Sequence, residues 1–339
     1  MKSIVIVKLG ALGDIFDTIT YLTDLSKKSD VTFIVHERFS GPLKFFCPQV
    51  RILEVNEKSI FSLMHLVATL VRKNFPKIVI FQINIKFVLF FKIFSPLSEV
   101  LSFRAYIEQI QSQNVSRPNL ERNMIRRLIG IYPEVGLPIV SGYVPSPEVR
   151  LSTSPSSHFN TIVCLGVGGG NRHDDAKNRI LTINFIKNTV AKIGITLPLK
   201  VKIILLGNGA ADQARAELLL SYFKNDPDVA VISMVNKTNL GDLQYILSKS
   251  KLFLGPDSFI AKLAGMFSPK AFVFLGPTNP KALAYDASST VFFTPNLNEV
   301  PCSPCHSPCL GRKSLMFTCQ QNICMESHQA NDVVEYLLH

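Results

Sequence analysis

The residues best suited to chemistry stand beside glycines. In KLGALGD, residues 8–14, a run of Ile4, Val5, Ile6 and Val7 gives way to two glycines and Asp14, and a helical pattern starts at once. A carboxylate in that place is either a helix cap or an ionised group presented on a glycine-bounded turn. In GVGGGNRHDDAKNR, three adjacent glycines that include Gly169 and Gly170 follow another apolar run and precede Lys177 and Arg179. Glycine lets backbone N–H groups approach an anion closely, and the two cations could neutralise phosphates. The pattern is neither a Walker A loop nor G-x-G-x-x-G, so a plain surface loop is the alternative. Asp257 and Ser258 sit at a strand-to-helix junction, where unpaired N–H groups and the helix dipole favour a phosphate or a capping oxygen. Gly276, Pro277 and Thr278 end the next apolar run, at the same edge of the expected sheet.

Five of the seven cysteines crowd into residues 302–324 with the spacing C-x2-C-x3-C-x9-C-x4-C. No signal-peptide pattern opens the sequence, which points to a reduced compartment and to metal rather than disulfides. Four thiolates suit tetrahedral Zn or Fe, and Cys302, Cys305, Cys319 and Cys324 are the expected ligands, with Cys309 and His306 as spares. Thiols in a loose loop are the alternative. Cys47 and Cys164 stand alone in apolar surroundings and read as core.

The elements that must position these residues alternate along the chain. SIVIVKL, DVTFIVH, VRILEV and KIVIFQI read as buried strands, and DIFDTITYLTDLSKK and IFSLMHLVATLVRK as helices between them. Residues 141–160 are rich in Ser and Pro and read as a linker. The alternation then restarts at TIVCLGVGGG. Short apolar runs separated by helices predict parallel sheets and two doubly wound domains, residues 1–150 and 151–339. Ligands of such sheets bind beyond the carboxyl ends of the strands, where the glycines fall.

With 339 residues and 47% hydrophobic content, the chain can build two cores. Its net charge of +11 favours anionic partners, but no basic run interleaved with aromatics suggests nucleic acid. The most membrane-like window, residues 78–95, carries Lys86 and Lys92, and a mid-bilayer lysine costs roughly 2.5–3.5 kcal/mol. It is not read as a spanning helix. Between Lys86 and Arg127 there are seven basic residues against three acidic ones. This surface either rests on an anionic leaflet or simply solvates its charges.

Taken in order, VKLGALGD, GGGNRHDDAKNR, LLGNGAADQA, NKTNLGDL, GPDS and FLGPTNP resemble glycosyltransferase family 9 over nearly the whole chain. That family comprises the ADP-heptose:lipopolysaccharide heptosyltransferases. The resemblance implies a GT-B fold, two Rossmann-like domains facing a cleft, with the acceptor on the first domain and the nucleotide sugar on the second. It implies sugar transfer with inversion, no catalytic metal, an ADP-sugar donor and Asp14 as the base. On the donor side it implies Lys177 and Arg179 at the diphosphate, with Gly169, Gly170, Asp257, Ser258, Gly276, Pro277 and Thr278 around the nucleotide. Where the family reads Asp-(Ser/Thr)-Gly-x-x-His, this chain has Phe259 and Lys262. Lys262 shares a helix face with Ser258 and is expected to reach the donor's phosphates or sugar. Some relatives hold iron at cysteines before the final helix.

The resulting expectation is a cytoplasmic glycosyltransferase, peripheral to the inner membrane, that moves a heptose or related sugar to a lipopolysaccharide core or other glycan. An inactive sugar-nucleotide sensor of the same fold is one alternative. A Rossmann oxidoreductase is another, disfavoured because neither half carries the dinucleotide fingerprint.

Overall fold

The computed structural model describes residues 2–338 apart from 11, 57, 74, 83–84, 113–114, 137, 141, 155–158, 160, 169–178, 197–199, 284–287 and 307–314. It divides into two compact units, Met1–Ser141 with Lys281–Ala284, and Gly142–Pro280 with Tyr285–His339. The doubly wound architecture expected from the alternation is borne out in both.

The first unit runs β1 (Lys2–Val7), α1 (Leu12–Lys28), β2 (Ser29–His36), α2 (Ser40–Phe46), β3 (Arg51–Val55), α3 (Ile60–Lys73), β4 (Lys77–Ile80), α4 (Ile85–Phe94), β5 (Glu99–Ser102), α5 (Ile107–Ser112) and α6 (Arg117–Ile129). Its five strands pair in the order β3-β2-β1-β4-β5, and every pairing is parallel. The β-branched run of β1 is central because it is buried on both faces, with Ile4 to Val7 all inaccessible.

The second unit begins with α7 (Pro147–Thr153), which the Ser/Pro-rich texture hid. Pro147 opens that helix, where its missing N–H costs nothing, and the Ser146 hydroxyl accepts from Val149 N at 3.4 Å. There follow β6 (Thr161–Gly166), α8 (Ile183–Thr196), β7 (Val201–Leu206), α9 (Ala210–Phe223), β8 (Val229–Ser233), α10 (Leu240–Lys249), β9 (Leu252–Pro256), α11 (Phe259–Phe267), β10 (Ala271–Phe274), β11 (Thr290–Phe293), α12 (Leu315–Thr318), α13 (Ile323–Glu326) and α14 (Ala330–Leu338). The six strands order as β11-β10-β9-β6-β7-β8, again all parallel. In each sheet the chain starts in the middle, winds one way and then returns to the other side. That reversal falls between β1 and β4 in the first sheet and between β6 and β9 in the second. Crevices at such switch points, beyond the carboxyl ends of the strands, are where ligands bind in this architecture.

Candidate functional site

The Asp14 loop stands at the switch point of the first sheet. As β1 ends, Phe81 N donates to Val7 O at 2.9 Å and Lys8 N to Ile34 O at 3.0 Å, which ties the loop to β4 and β2. With its oxygen turned to the backbone, the Gln82 amide accepts from Leu9 N at 2.8 Å and Gly10 N at 3.1 Å. A Cβ on Gly10 would lie 3.3 Å from Asp14 Oδ2, so this glycine leaves room for the carboxylate. Asp14 itself lies inside the first turn of α1 and is not the cap. The helix dipole there favours its ionised form.

Arg117, the first residue of α6, makes an ion pair from Nη1 to Asp14 Oδ1. The two side chains are 26% and 37% exposed, so the carboxylate is held yet reachable from solvent. Burial works against the Arg117 charge, but Asp14, Asp17 and Glu121 outweigh it and hold the guanidinium protonated more firmly than usual.

Behind this pair lies a fully buried polar cluster. Lys8 Nζ makes an ion pair with Glu121 Oε1 and donates to Thr18 Oγ1 at 2.8 Å. Thr18 Oγ1 and Tyr21 Oη both donate to Glu121 Oε2, at 2.7 and 2.5 Å. Burial lowers the Lys8 pKa against the pull of Glu121 and Asp17, and burial followed by the Glu121 charge raises that of Tyr21 well above its usual value. Thr18 and Tyr21 follow Asp14 by four and seven residues, so they occupy its side of α1. The cluster thereby fixes the roll of the helix whose first turn carries the carboxylate. Sequence reasoning missed Lys8, Arg117 and Glu121. A signal existed for Glu121, which shares the buried face of α6 with Leu120, Met124, Ile125 and Leu128. A carboxylate in an apolar stripe needs a partner.

In the second unit, β9 delivers Asp257 to the switch point, buried, with its N–H donating to Phe274 O at 3.3 Å. Arg179 Nη1 lies 3.5 Å from Asp257 Oδ2, and its Nη2 is 3.6 Å from Met316 Sδ. Arg179 Nε is buried without a hydrogen-bond partner among the described residues. The same holds for Thr278 Oγ1, one turn of chain beyond β10, and for Asn322 Oδ1, whose amide nitrogen donates to Ile180 O at 3.2 Å. Orphaned buried donors and acceptors are uncommon and suit a polar ligand. Asp257, Arg179 and Thr278 are thus brought to one edge of the sheet. Gly169, Gly170 and Lys177 lie outside the described residues.

Ser258 caps α11, its hydroxyl accepting from Ala261 N at 3.1 Å. Lys262 closes the first turn, its N–H donating to Ser258 O at 3.1 Å, so the two share a face as expected. Lys262 is buried. The apolar helix that carries it, FIAKLAGMF, packs against α10, β9 and β10. Gly276 makes room for Met325 and Cys324, whose sulfurs a Cβ would meet at 2.6 and 2.8 Å, and Pro277 O accepts from His306 N at 2.9 Å.

Other glycines of the recognised motifs also serve packing. A Cβ on Gly168 or Gly207 would strike the Asp212 carboxylate, and one on Gly241 the Tyr143 ring. Asp212 accepts from Asn208 N at 2.9 Å, and burial raises its pKa against that bond and Arg215. Asn239 and Asp242 form a reciprocal capping box on α10 and both accept from Tyr143 Oη, at 2.8 and 3.0 Å.

The expected metal centre finds no support. Among the described residues no three His, Cys, Asp or Glu side chains are arranged to hold a metal ion. Cys302, Cys305, Cys319 and Cys324 lie near enough to feel one another, and burial followed by that repulsion pushes Cys324 up to about 11. Cys324 is packed on Gly276 instead, and Cys319 Sγ is turned to Gln321 O at 2.7 Å. Cys309 lies outside the described residues.

No protein-family model matches the chain, and no curated protein matches it by sequence. Solved structures do match its shape. E. coli heptosyltransferase WaaC with ADP aligns with a TM-score of 0.63 at 14% identity, covering 99% of each chain. A glycosyl transferase family 9 structure from Veillonella parvula aligns at 0.65 and 16%, over 99% of this chain and 97% of that one. E. coli ADP-heptose lps heptosyltransferase II aligns at 0.62 and 14%, over 100% and 98%. The chain has the GT-B fold, as the motif resemblance implied.

Proposed function

We propose that this chain is an inverting glycosyltransferase that moves a heptose or related sugar from an ADP-sugar to a lipopolysaccharide core or other glycan acceptor at the cytoplasmic face of a membrane. The reading rests chiefly on one observation: Asp14, on the first turn of a helix at the sheet's switch point, is a solvent-reachable carboxylate oriented by Arg117. Two neighbours of the same fold are described with ADP and with ADP-2-deoxy-2-fluoro heptose, which supports an ADP-sugar as donor.

In this reading Asp14 takes the proton of an acceptor hydroxyl as that oxygen attacks the anomeric carbon. The bond from that carbon to the diphosphate oxygen breaks, ADP leaves, and the new linkage has the opposite configuration. A helix dipole and a cation both make Asp14 a weaker base, so orientation must supply much of the rate. Arg179 and Thr278 are the donor-side residues best placed to meet phosphate, with Asp257 fixing Arg179; Lys177, Gly169 and Gly170 are assigned to the same phosphates by motif. Lys262, on the Ser258 face of α11, is assigned to the donor's phosphates or sugar.

A second reading, an inactive sugar-nucleotide sensor, is favoured by the same ion pair, since Arg117 occupies an oxygen of the base, and by Phe259 in the family's glycine position. Thr278→Val separates both readings from a purely structural edge. Removing a buried hydroxyl that lacks a partner should leave the ligand-free protein as stable or more stable, by up to about 1–3 kcal/mol. It should weaken ADP binding several-fold by calorimetry. Release of ADP from ADP-heptose by the parent protein then separates enzyme from sensor. ADP affinity unchanged in the variant would remove Thr278 from the site.

A further inference from the structure

One face of the first unit departs from the usual pattern of helices on a sheet. α3 and α4 lie side by side, burying Leu66, Leu70, Val88 and Phe91 against Val5, Val7, Ile34, Ile78 and Ile80. A helix so packed ordinarily turns polar residues outward. Here the outward side of α3 presents Phe61, Met64 and Val71, which are 80%, 61% and 63% exposed. Along α4 and past its end, Leu89, Ile93 and Leu97 recur every fourth residue, 52%, 66% and 80% exposed.

The segment that carries these stripes has charge of one sign. From Lys58 to Ser98 the chain contains Lys58, Arg72, Lys73, Lys77, Lys86 and Lys92 and not one Asp or Glu. Lys77 pairs with Glu99, and Lys58, Arg72, Lys73, Lys86 and Lys92 are exposed.

We propose that the α3–α4 face docks on an anionic phospholipid bilayer. Helices of 14 and 10 residues are too short to cross one, but apolar side chains on a basic surface insert shallowly while lysine stems carry their ammonium groups to the lipid phosphates. A second copy of the chain fits less well. Two-fold pairing would set these basic helices against themselves, cation on cation. α3 and α4 both start beyond the carboxyl ends of their preceding strands, the sheet edge that carries Asp14, so docking brings that edge toward the lipid. The proposal deepens the membrane placement in the reading above, but its vesicle test uses no sugar transfer, so the two can fail separately.

The test is co-sedimentation of the full chain with phosphatidylglycerol–phosphatidylcholine vesicles and with pure phosphatidylcholine vesicles. Two double variants accompany it, Phe61→Asp with Ile93→Asp and Lys73→Glu with Lys92→Glu. All four side chains are exposed, so folding should be preserved, and circular dichroism and Tm verify that. Anionic vesicles should bind the parent chain at least tenfold better than neutral ones, and added salt should weaken the binding. Each double variant should lose roughly tenfold or more. Equal binding to both vesicle types, or variants that bind like the parent, would overturn the proposal. So would a parent dimer in sedimentation velocity that either variant splits into monomers, since the face would then be covered by a second copy.

Discussion

Asp14 is informative because of what surrounds it rather than where it falls in the sequence. A cap would need only the helix end. This carboxylate has a glycine that makes room for it, an arginine that holds it, and a buried charge cluster under its helix. Lys8 and Glu121 set the position of α1 through each other, and their contribution is conditional. Removing one leaves the other buried and unpaired, at about 3–5 kcal/mol, whereas removing both need cost far less. Lys8→Met and Glu121→Leu should therefore each destabilise the protein strongly, and the double variant by clearly less than their sum. Denaturant unfolding of all four proteins measures the coupling. Additive single-variant losses would mean that the two charges do not act as a pair. The apolar stripe of α6 signalled that Glu121 needs a partner, but not which one, because residues 8 and 121 meet only once β1 and α6 are packed. The Asp14 loop was legible, since glycine and aspartate after a β-branched run are a local pattern.

At the scale of elements, the sequence told strands from helices more reliably than it told the uses of glycine. Apolar runs of strand length alternating with helical periods specify parallel βαβ units, and both sheets follow. Glycines at strand ends marked where ligands bind, and Gly168, Gly207 and Gly276 also accommodate a neighbouring side chain, as Gly241 does inside α10. Nothing local separates the two uses. Lys262 lies on α11, a short and nearly all apolar helix, and is buried there. An element-level prediction concerns the segment between α13 and α14. His328 is buried against Phe274 and Phe185 and donates from Nε2 to Leu275 O at 3.0 Å, and burial lowers its pKa to about 4. Above about pH 6.5 the ring is neutral whether the chain is folded or not. Between about 6.5 and 4 the unfolded chain takes up a proton that the native state does not bind. Stability therefore falls with pH across that window, by up to about 3 kcal/mol from this residue. His328→Gln keeps a donor for Leu275 O and should flatten the fall. Unfolding free energies at pH 7 and pH 5 test this, and an equal drop in the variant would place the sensitivity elsewhere.

For the molecule as a whole, pattern and shape agree where sequence identity is low. Motifs spread over nearly all of the chain resembled one family, and structures described as heptosyltransferases and family 9 glycosyl transferases share its fold over almost its full length. Two parallel sheets with their switch points at the carboxyl edge supply two places for ligands, one with a held carboxylate and one with orphaned polar atoms around Arg179 and Thr278. The central claim is that Asp14 is the base of a sugar transfer, and Asp14→Asn tests it most directly. The isosteric amide retains the fold and leaves the donor side untouched. The measurement is kcat for ADP release with donor and acceptor present, alongside the Kd for ADP. An unchanged Kd and a kcat lower by roughly 10²–10⁴-fold, the usual contribution of a positioned general base, are expected. A variant that turns over as fast as the parent would contradict the claim.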